Sequence, residues 1–198
     1  MAKLTKNQQK YVLKYYIFLP IAVLLFTSFL CYFRLIARNA HGNLTHIIKW
    51  DVLDYTYPLL LFISDSIRSF IFPLWNPYQY SGIPCALNPG TIAYNPICLF
   101  AIFLKGYSLE LLQLHTFLVF FIAGLSMYFC LRSFSLSKTA SLIGAISFMS
   151  CGFFVAGAEY FTLINMLAFL PVCLMFLNRL LDRLDFRSLG YGAFTIAI

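Results

Sequence analysis

Charge is what this sequence has least of. Asp, Glu, Lys and Arg make up 11% of its 198 residues, against about 25% in an ordinary soluble domain. Acids are the scarcest, with 7 Asp and Glu against 14 Lys and Arg. A disordered chain needs high charge and few aromatics, and this one is 19% aromatic, so disorder is excluded. The six cysteines contain no CxxC spacing, which removes zinc and dithiol frameworks. Cys31, Cys130, Cys151 and Cys173 fall in or beside apolar runs, where a thiol acts as a small apolar side chain. Cys85 and Cys98 share one loop and are the one pair placed to bridge, with free thiols the default. Histidine is limited to three residues, and His115 has no second His at ligand spacing. It reads as a helix-packing residue. Hydrophobic residues fill the remainder, at 61% with a mean hydropathy of +0.81. A water-soluble fold of this size cannot hide so much apolar surface, so the expected fold is an all-α integral membrane protein.

A membrane-crossing helix needs about 20 apolar residues. Four stretches qualify: 15–33, 111–131, 139–158 and 161–178. A fifth begins at 188 and reaches only half a span by 198, so the expectation is the amino-terminal part of a longer chain. Basic residues set the orientation. Lys3, Lys6, Lys10 and Lys14 lie in the tail 1–14, Arg132 and Lys138 in the loop 132–138, and Arg179, Arg183 and Arg187 in the loop 179–187. The positive-inside rule places all of these in the cytoplasm. The amino terminus is then cytoplasmic, and the first span is an uncleaved anchor. The net charge of +7 follows from this topology, and nucleic acid is not an expected partner.

The remaining connection, 34–110, is far longer than most helix connections, and loops of that length tend to be functional. Surface helices are expected within it, one running from Pro58 to Phe72. Asp51 and Asp54 stand three residues apart among Trp50, Tyr55 and Tyr57. If helical, they share a face. Such a pair can split its pKa values, bind a divalent cation, or divide base and orienting roles; alternatively, one of them caps the helix. Asp65 and Arg68 have the spacing of an exposed ion pair. Trp75, Tyr78 and Tyr80 either form an interfacial aromatic belt or stack on a sugar. Glu159 is an ionisable residue at a span end, on the same side as the long loop, and such residues are functional candidates. Ser141-Leu142-Ile143-Gly144-Ala145 reads as a close-packing helix surface.

Read in order, the sequence resembles the bacterial YfhO-like membrane proteins of the GT-C glycosyltransferase class. The resemblance rests on Asp51, Tyr57-Pro58, Pro73-Leu74-Trp75-Asn76-Pro77-Tyr78, Gly82-Ile83-Pro84, Asn88-Pro89 and Tyr94-Asn95-Pro96. It continues through Leu114-His115, Ala123-Gly124, Tyr128, Leu131-Arg132, Leu136-Ser137, Ser150-Cys151-Gly152-Phe153 and Leu170-Pro171. It departs at Asp54, an extra acid, at Gly90 in place of Gln, and at Glu159-Tyr160 in place of His. Family members are several times longer, and the likeness covers their amino-terminal part.

The resemblance implies transfer of a sugar from a polyprenyl-phosphate carrier to a cell-envelope acceptor at the outer face of the bacterial cytoplasmic membrane. Asp51 is then the catalytic carboxylate with Asp54 beside it, and a divalent cation would sit on these two. Trp75, Asn76, Tyr78, Arg68 and Glu159 are the expected substrate-binding residues. Arg34, Arg38 and Lys49, with Arg68, are the cations available to offset the leaving phosphate. The full-length protein is expected to be an enzyme, and 198 residues alone an inactive fragment. The competing expectation is a non-enzymatic or degenerate multi-pass protein, transporter-like or a remnant.

Overall fold

Apolar runs stopped by serine-capped turns build a helical bundle. The computed structural model describes residues 6–37, 41, 46–48, 50–85, 106–182 and 190. Helix α1 covers Lys6–Ile36. A long loop then leads through a π-helical turn, Val52–Thr56, directly into α2, Tyr57–Arg68. Helix α3, Leu109–Ser133, begins at Ser108, whose hydroxyl oxygen accepts the Leu111 N–H at 3.3 Å. Helix α4, Lys138–Met149, begins at Ser137 in the same way, accepting from Ala140 at 3.2 Å. Each cap satisfies a backbone donor that a first helical turn leaves open. Between them Ser135 takes a left-handed φ of 63°, and Arg132 donates to the Leu136 carbonyl. After Met149 the chain kinks, with Cys151 extended at ψ 153°. A short α5, Gly152–Ala156, and a 3₁₀ turn, Gly157–Glu159, complete that run. Helix α6 covers Phe161–Asp182.

Helix α3 is the hub against which α1, α4 and α6 pack. Small residues allow the close approach. A Cβ on Gly124 would stand 2.7 Å from Met149 Sδ on α4 and 3.4 Å from Leu24 Cδ2 on α1. One on Gly144 would stand 2.5 Å from Leu131 Cδ1. Tyr32 of α1 stacks on Phe120 of α3, with ring centroids 3.8 Å apart. Ser126 of α3 lies 2.6 Å from the Ala168 carbonyl oxygen of α6 and donates to it. Lipid offers helices little hydrophobic drive to associate, so such packing and interhelical hydrogen bonds carry the association.

Three helical runs among the described residues are long and apolar enough to cross a membrane: Leu109–Ser133, Lys138–Glu159 and Phe161–Leu181. The apolar stretch in α1, Phe18–Arg34, is shorter. The runs expected at 111–131 and 161–178 lie inside α3 and α6. The one at 139–158 is interrupted at Ser150–Cys151, a kink that its hydropathy did not announce. The fifth apolar run apart from Gly190, together with Cys98, Gly90 and the Asn88-Pro89 and Tyr94-Asn95-Pro96 turns, lies outside the described residues.

In the long loop, the helix expected to reach Phe72 stops at Arg68. Phe70 adopts φ 58°. Its N–H donates to Ile67 O at 3.0 Å, and the Ile71 N–H donates to Ser66 O at 2.9 Å. These are the paired bonds of a Schellman stop, followed by Pro73, which cannot continue a helix. The segment read as a turn-rich loop closes as a two-stranded antiparallel hairpin, β1 (Trp75–Asn76) and β2 (Ile83–Pro84), pairing Trp75 with Pro84.

Gly124 therefore has a measurable role. Gly124→Val should push Met149 and Leu24 apart and cost about 1–3 kcal/mol. Thermal unfolding in detergent should show a lowered midpoint; an unchanged midpoint would mean that α1, α3 and α4 are not so tightly joined.

Candidate functional site

The two loop aspartates owe their placement to the residues around them. Trp50 takes a left-handed φ of 62°, and its carbonyl accepts from Leu53 N at 2.8 Å and Asp54 N at 2.9 Å. A bulky residue in that conformation costs of order 1–3 kcal/mol, and such strain clusters at functional sites. Asp51 opens the helix without a side-chain capping bond, so its carboxylate is not engaged as a cap. The Tyr57 N–H then donates to Val52 O, five residues back. Pro58 accounts for this wide turn. A proline has no N–H for the carbonyl four residues back, and its ring clashes with that carbonyl, which here belongs to Asp54. Widening the turn just before Pro58 relieves the clash.

The wide turn separates the acids. In an ordinary α-turn, residues three apart lie about 60° from each other around the axis. Here Asp51 and Asp54 open on different cavities. Asp51 lines a cavity of about 330 Å³ with Tyr55, Glu159, Tyr160, Phe161 and Met166. Asp54 lines a cleft of about 590 Å³ with Asp65, Asn76, Tyr78 and Gln79. The expected pair is thus divided between two cavities. Among the described residues there is no group of three or more His, Cys, Asp or Glu that could hold a metal ion.

The Asp51 cavity joins the loop to the bundle. Glu159 arrives on the 3₁₀ turn and Phe161 on the first turn of α6. Thr56 and Thr162 complete the lining, whose accessible surface is mostly apolar, and Leu163 and Met166 on α6 are 40% and 58% exposed. A pocket lined by two carboxylates and by exposed apolar side chains is amphipathic. Beneath it, Phe161 meets His115 edge-on, with ring centroids 4.8 Å apart.

His115 is the centre of a buried polar chain. Its Nε2 lies 3.1 Å from Asn165 Oδ1, and its Nδ1 lies 3.1 Å from the Tyr107 hydroxyl. Asn165 Nδ2 donates to the Phe161 carbonyl at 2.9 Å. That bond turns the amide oxygen to the ring, so Nε2 carries the proton and Nδ1 of the neutral ring accepts from Tyr107. The Tyr107 N–H donates to Ser64 Oγ at 2.8 Å, which ties the network to α2. His115, expected from the sequence to be a helix-packing residue, does join α3 to α6 through Asn165, but its partners were not identified from the sequence. The available signal was Asn165, a polar residue inside an apolar run, because a polar group in such a helix seeks a partner on a neighbour.

The other expected substrate-binding residues divide. Asn76 is 2% exposed and lines the cleft. Its Oδ1 accepts from Tyr78 N at 3.0 Å, and its Nδ2 donates to Gln79 Oε1 at 3.2 Å, so it holds the hairpin turn. Tyr78 lines the same cleft, edge-on to Phe62 with centroids 5.8 Å apart. Trp75 lines neither cavity. Its indole covers Gly82, where a Cβ would stand 2.4 Å from the ring and φ is +113°. Arg68 also lines neither. Its guanidinium lies where a Cβ on Gly106 would be 3.2 Å from Nη1, while Asp65 faces the cleft. The Asp65–Arg68 pairing suggested by their spacing gives way to two separate placements.

Tyr107→Phe leaves His115 Nδ1 buried without its donor and should cost about 1–2 kcal/mol. Combined with Asn165→Leu, the loss should be less than additive, because both changes break one network. Unfolding of the single and double variants measures this, and strict additivity would refute the coupling. No protein-family model, curated protein or solved structure matches this chain.

Proposed function

We propose that the chain belongs to a polytopic, YfhO-like glycosyltransferase of the GT-C class. It passes a sugar from a polyprenyl-phosphate carrier to a cell-envelope acceptor at the outer face of the bacterial cytoplasmic membrane. The observation that carries this reading is the amphipathic cavity, in which Asp51 and Glu159 meet an apolar wall of Leu163 and Met166. An isoprenoid phosphate has the matching division, with a polar head that reacts and a tail that stays in lipid. In this reading the acceptor hydroxyl attacks the anomeric carbon, Asp51 takes the hydroxyl proton, and the carrier phosphate leaves with the bonding electron pair. The configuration inverts. Glu159 orients the acceptor from across the cavity. A weak hydroxyl nucleophile needs such a base within about 3 Å.

Charge placement supports the orientation. Arg132, Lys138 and Arg179 fall at one end of the bundle, where α3 and α6 finish and α4 starts. Asp51 and Glu159 gather at the other end. With basic ends inside, α1 is a fourth span that starts in the cytoplasm.

Two measurements test this reading. In the full-length protein, Asp51→Asn should lower sugar transfer by about 10²–10⁴-fold while membrane insertion stays intact; undiminished transfer would remove Asp51 from the chemistry. In intact cells, an impermeant thiol reagent should label Tyr78→Cys, and it should reach Ser135→Cys only after permeabilisation. The reverse pattern would overturn the orientation.

A further inference from the structure

The Asp54 cleft has no part in the transfer step just described, and its lining is chemically distinct. Asp54 and Asp65 provide carboxylate acceptors, Ser66 and Ser69 hydroxyls, and Asn76 and Gln79 amides, with Tyr78 at the rim and Pro58, Leu61, Phe62 and Ile71 as apolar wall. Its volume of about 590 Å³ lies within the range of about 300–1,000 Å³ usual for small-ligand sites. Three features narrow the ligand class. First, the described lining holds two carboxylates and no Lys or Arg, which disfavours any anion, including a carrier phosphate. Second, the polar groups make an acyl or isoprenoid chain a poor occupant, because burying them against hydrocarbon costs free energy. Third, the hairpin turn is organised before any ligand arrives. Both ends of the Asn76 amide are engaged, which leaves the Gln79 amide nitrogen as a donor beside the carboxylates. Tyr78 is 83% exposed, yet its ring is steadied against Phe62. Acceptors, an amide donor, a presented aromatic ring and apolar wall in one cleft are what a polyhydroxylated ring requires, since its hydroxyls both donate and accept and its C–H face packs on aromatic carbon.

We propose that this cleft binds a neutral sugar unit of the acceptor glycan, at a site separate from the Asp51 cavity. The assignment to the acceptor rests on the glycosyl-transfer reading; the sugar-binding property rests on the lining alone. Asp54 is then a ligand-binding carboxylate and not a partner of Asp51 in catalysis.

Saturation-transfer NMR on the detergent-purified full-length protein separates these points, with chitotriose and a β-linked glucose trisaccharide as neutral probes and glucose 6-phosphate as the anionic one. At least one neutral trisaccharide should receive saturation, and glucose 6-phosphate should not. Asp65→Asn and Tyr78→Ala should each cut the signal several-fold, and Asp51→Asn should leave it in place. Both altered side chains are exposed, so folding is not at stake. No transfer to either trisaccharide, equal transfer to the phosphosugar, or a signal indifferent to both cleft variants would overturn the proposal. In the transfer assay, Tyr78→Ala should raise the acceptor KM about tenfold with kcat nearly kept, the pattern of lost binding that is equal in ground and transition states. Probe binding without any sugar transfer by the wild-type protein would leave the cleft standing and retire the glycosyl-transfer reading.

Discussion

One line of hydrogen bonds holds the working end of this molecule together. It runs from Ser64 through Tyr107, His115 and Asn165 to the Phe161 carbonyl. Four segments that share no regular backbone pairing meet on it: α2, the turn before α3, α3 itself and the start of α6. Each member is buried, so each must find a partner or bear the cost of an unsatisfied polar group. This requirement fixes the rotation of α6 about its axis. That rotation in turn decides that Phe161 floors the Asp51 cavity and that Leu163 and Met166 form its open wall. The network is silent in the chemistry proposed above, yet the shape of that cavity depends on it.

A second constraint acts through a single imino acid. Pro58 denies the Asp54 carbonyl its helical donor, and the chain answers with the wide turn at Val52–Thr56. Asp51 is left facing the bundle, and Asp54 faces the hairpin. Two acids that composition would treat as a pair belong to different surroundings, one beside Glu159 and the first turn of α6 and one beside Asp65 and the hairpin amides.

Much of the architecture was legible beforehand. Hydropathy marked the runs that became α3, the Lys138–Glu159 run and α6, and Ser108 and Ser137 stood where caps belong. The interruption at Ser150–Cys151 was missed because hydropathy stays high through it, although Ser150 and Gly152 flank the break and Gly/Ser pairs are a usual cause of kinks. The stop at Arg68 was missed because it uses Phe70 in a conformation that usually calls for glycine. At the site, the importance of Asp51, Asn76, Tyr78 and Glu159 as cavity residues was within reach, because polar groups are few and their clustering is visible. The separation of Asp51 from Asp54 was not seen, since a three-residue spacing was read with the α-helical period. Pro58 was the clue, four residues past Asp54. Trp75 and Arg68 were assigned to ligands by residue type, whereas their neighbours, Gly82 and Gly106, are settled only by the tertiary fold.

The wide turn has a consequence for the history of such a sequence. A turn closed five residues back holds one residue more than a turn closed four back. The independence of the two cavities' acids therefore hangs on a single codon. A relative lacking Tyr55 or Thr56 would keep nearly the same composition, hydropathy and span pattern, and would keep the two aspartates three residues apart. Closed as an ordinary α-turn, that stretch would bring both carboxylates within about 60° of each other around the helix, with Pro58 forcing the backbone to relieve its clash elsewhere. Aligning such chains by residue type alone would match aspartate to aspartate and pass over the change in what each one faces.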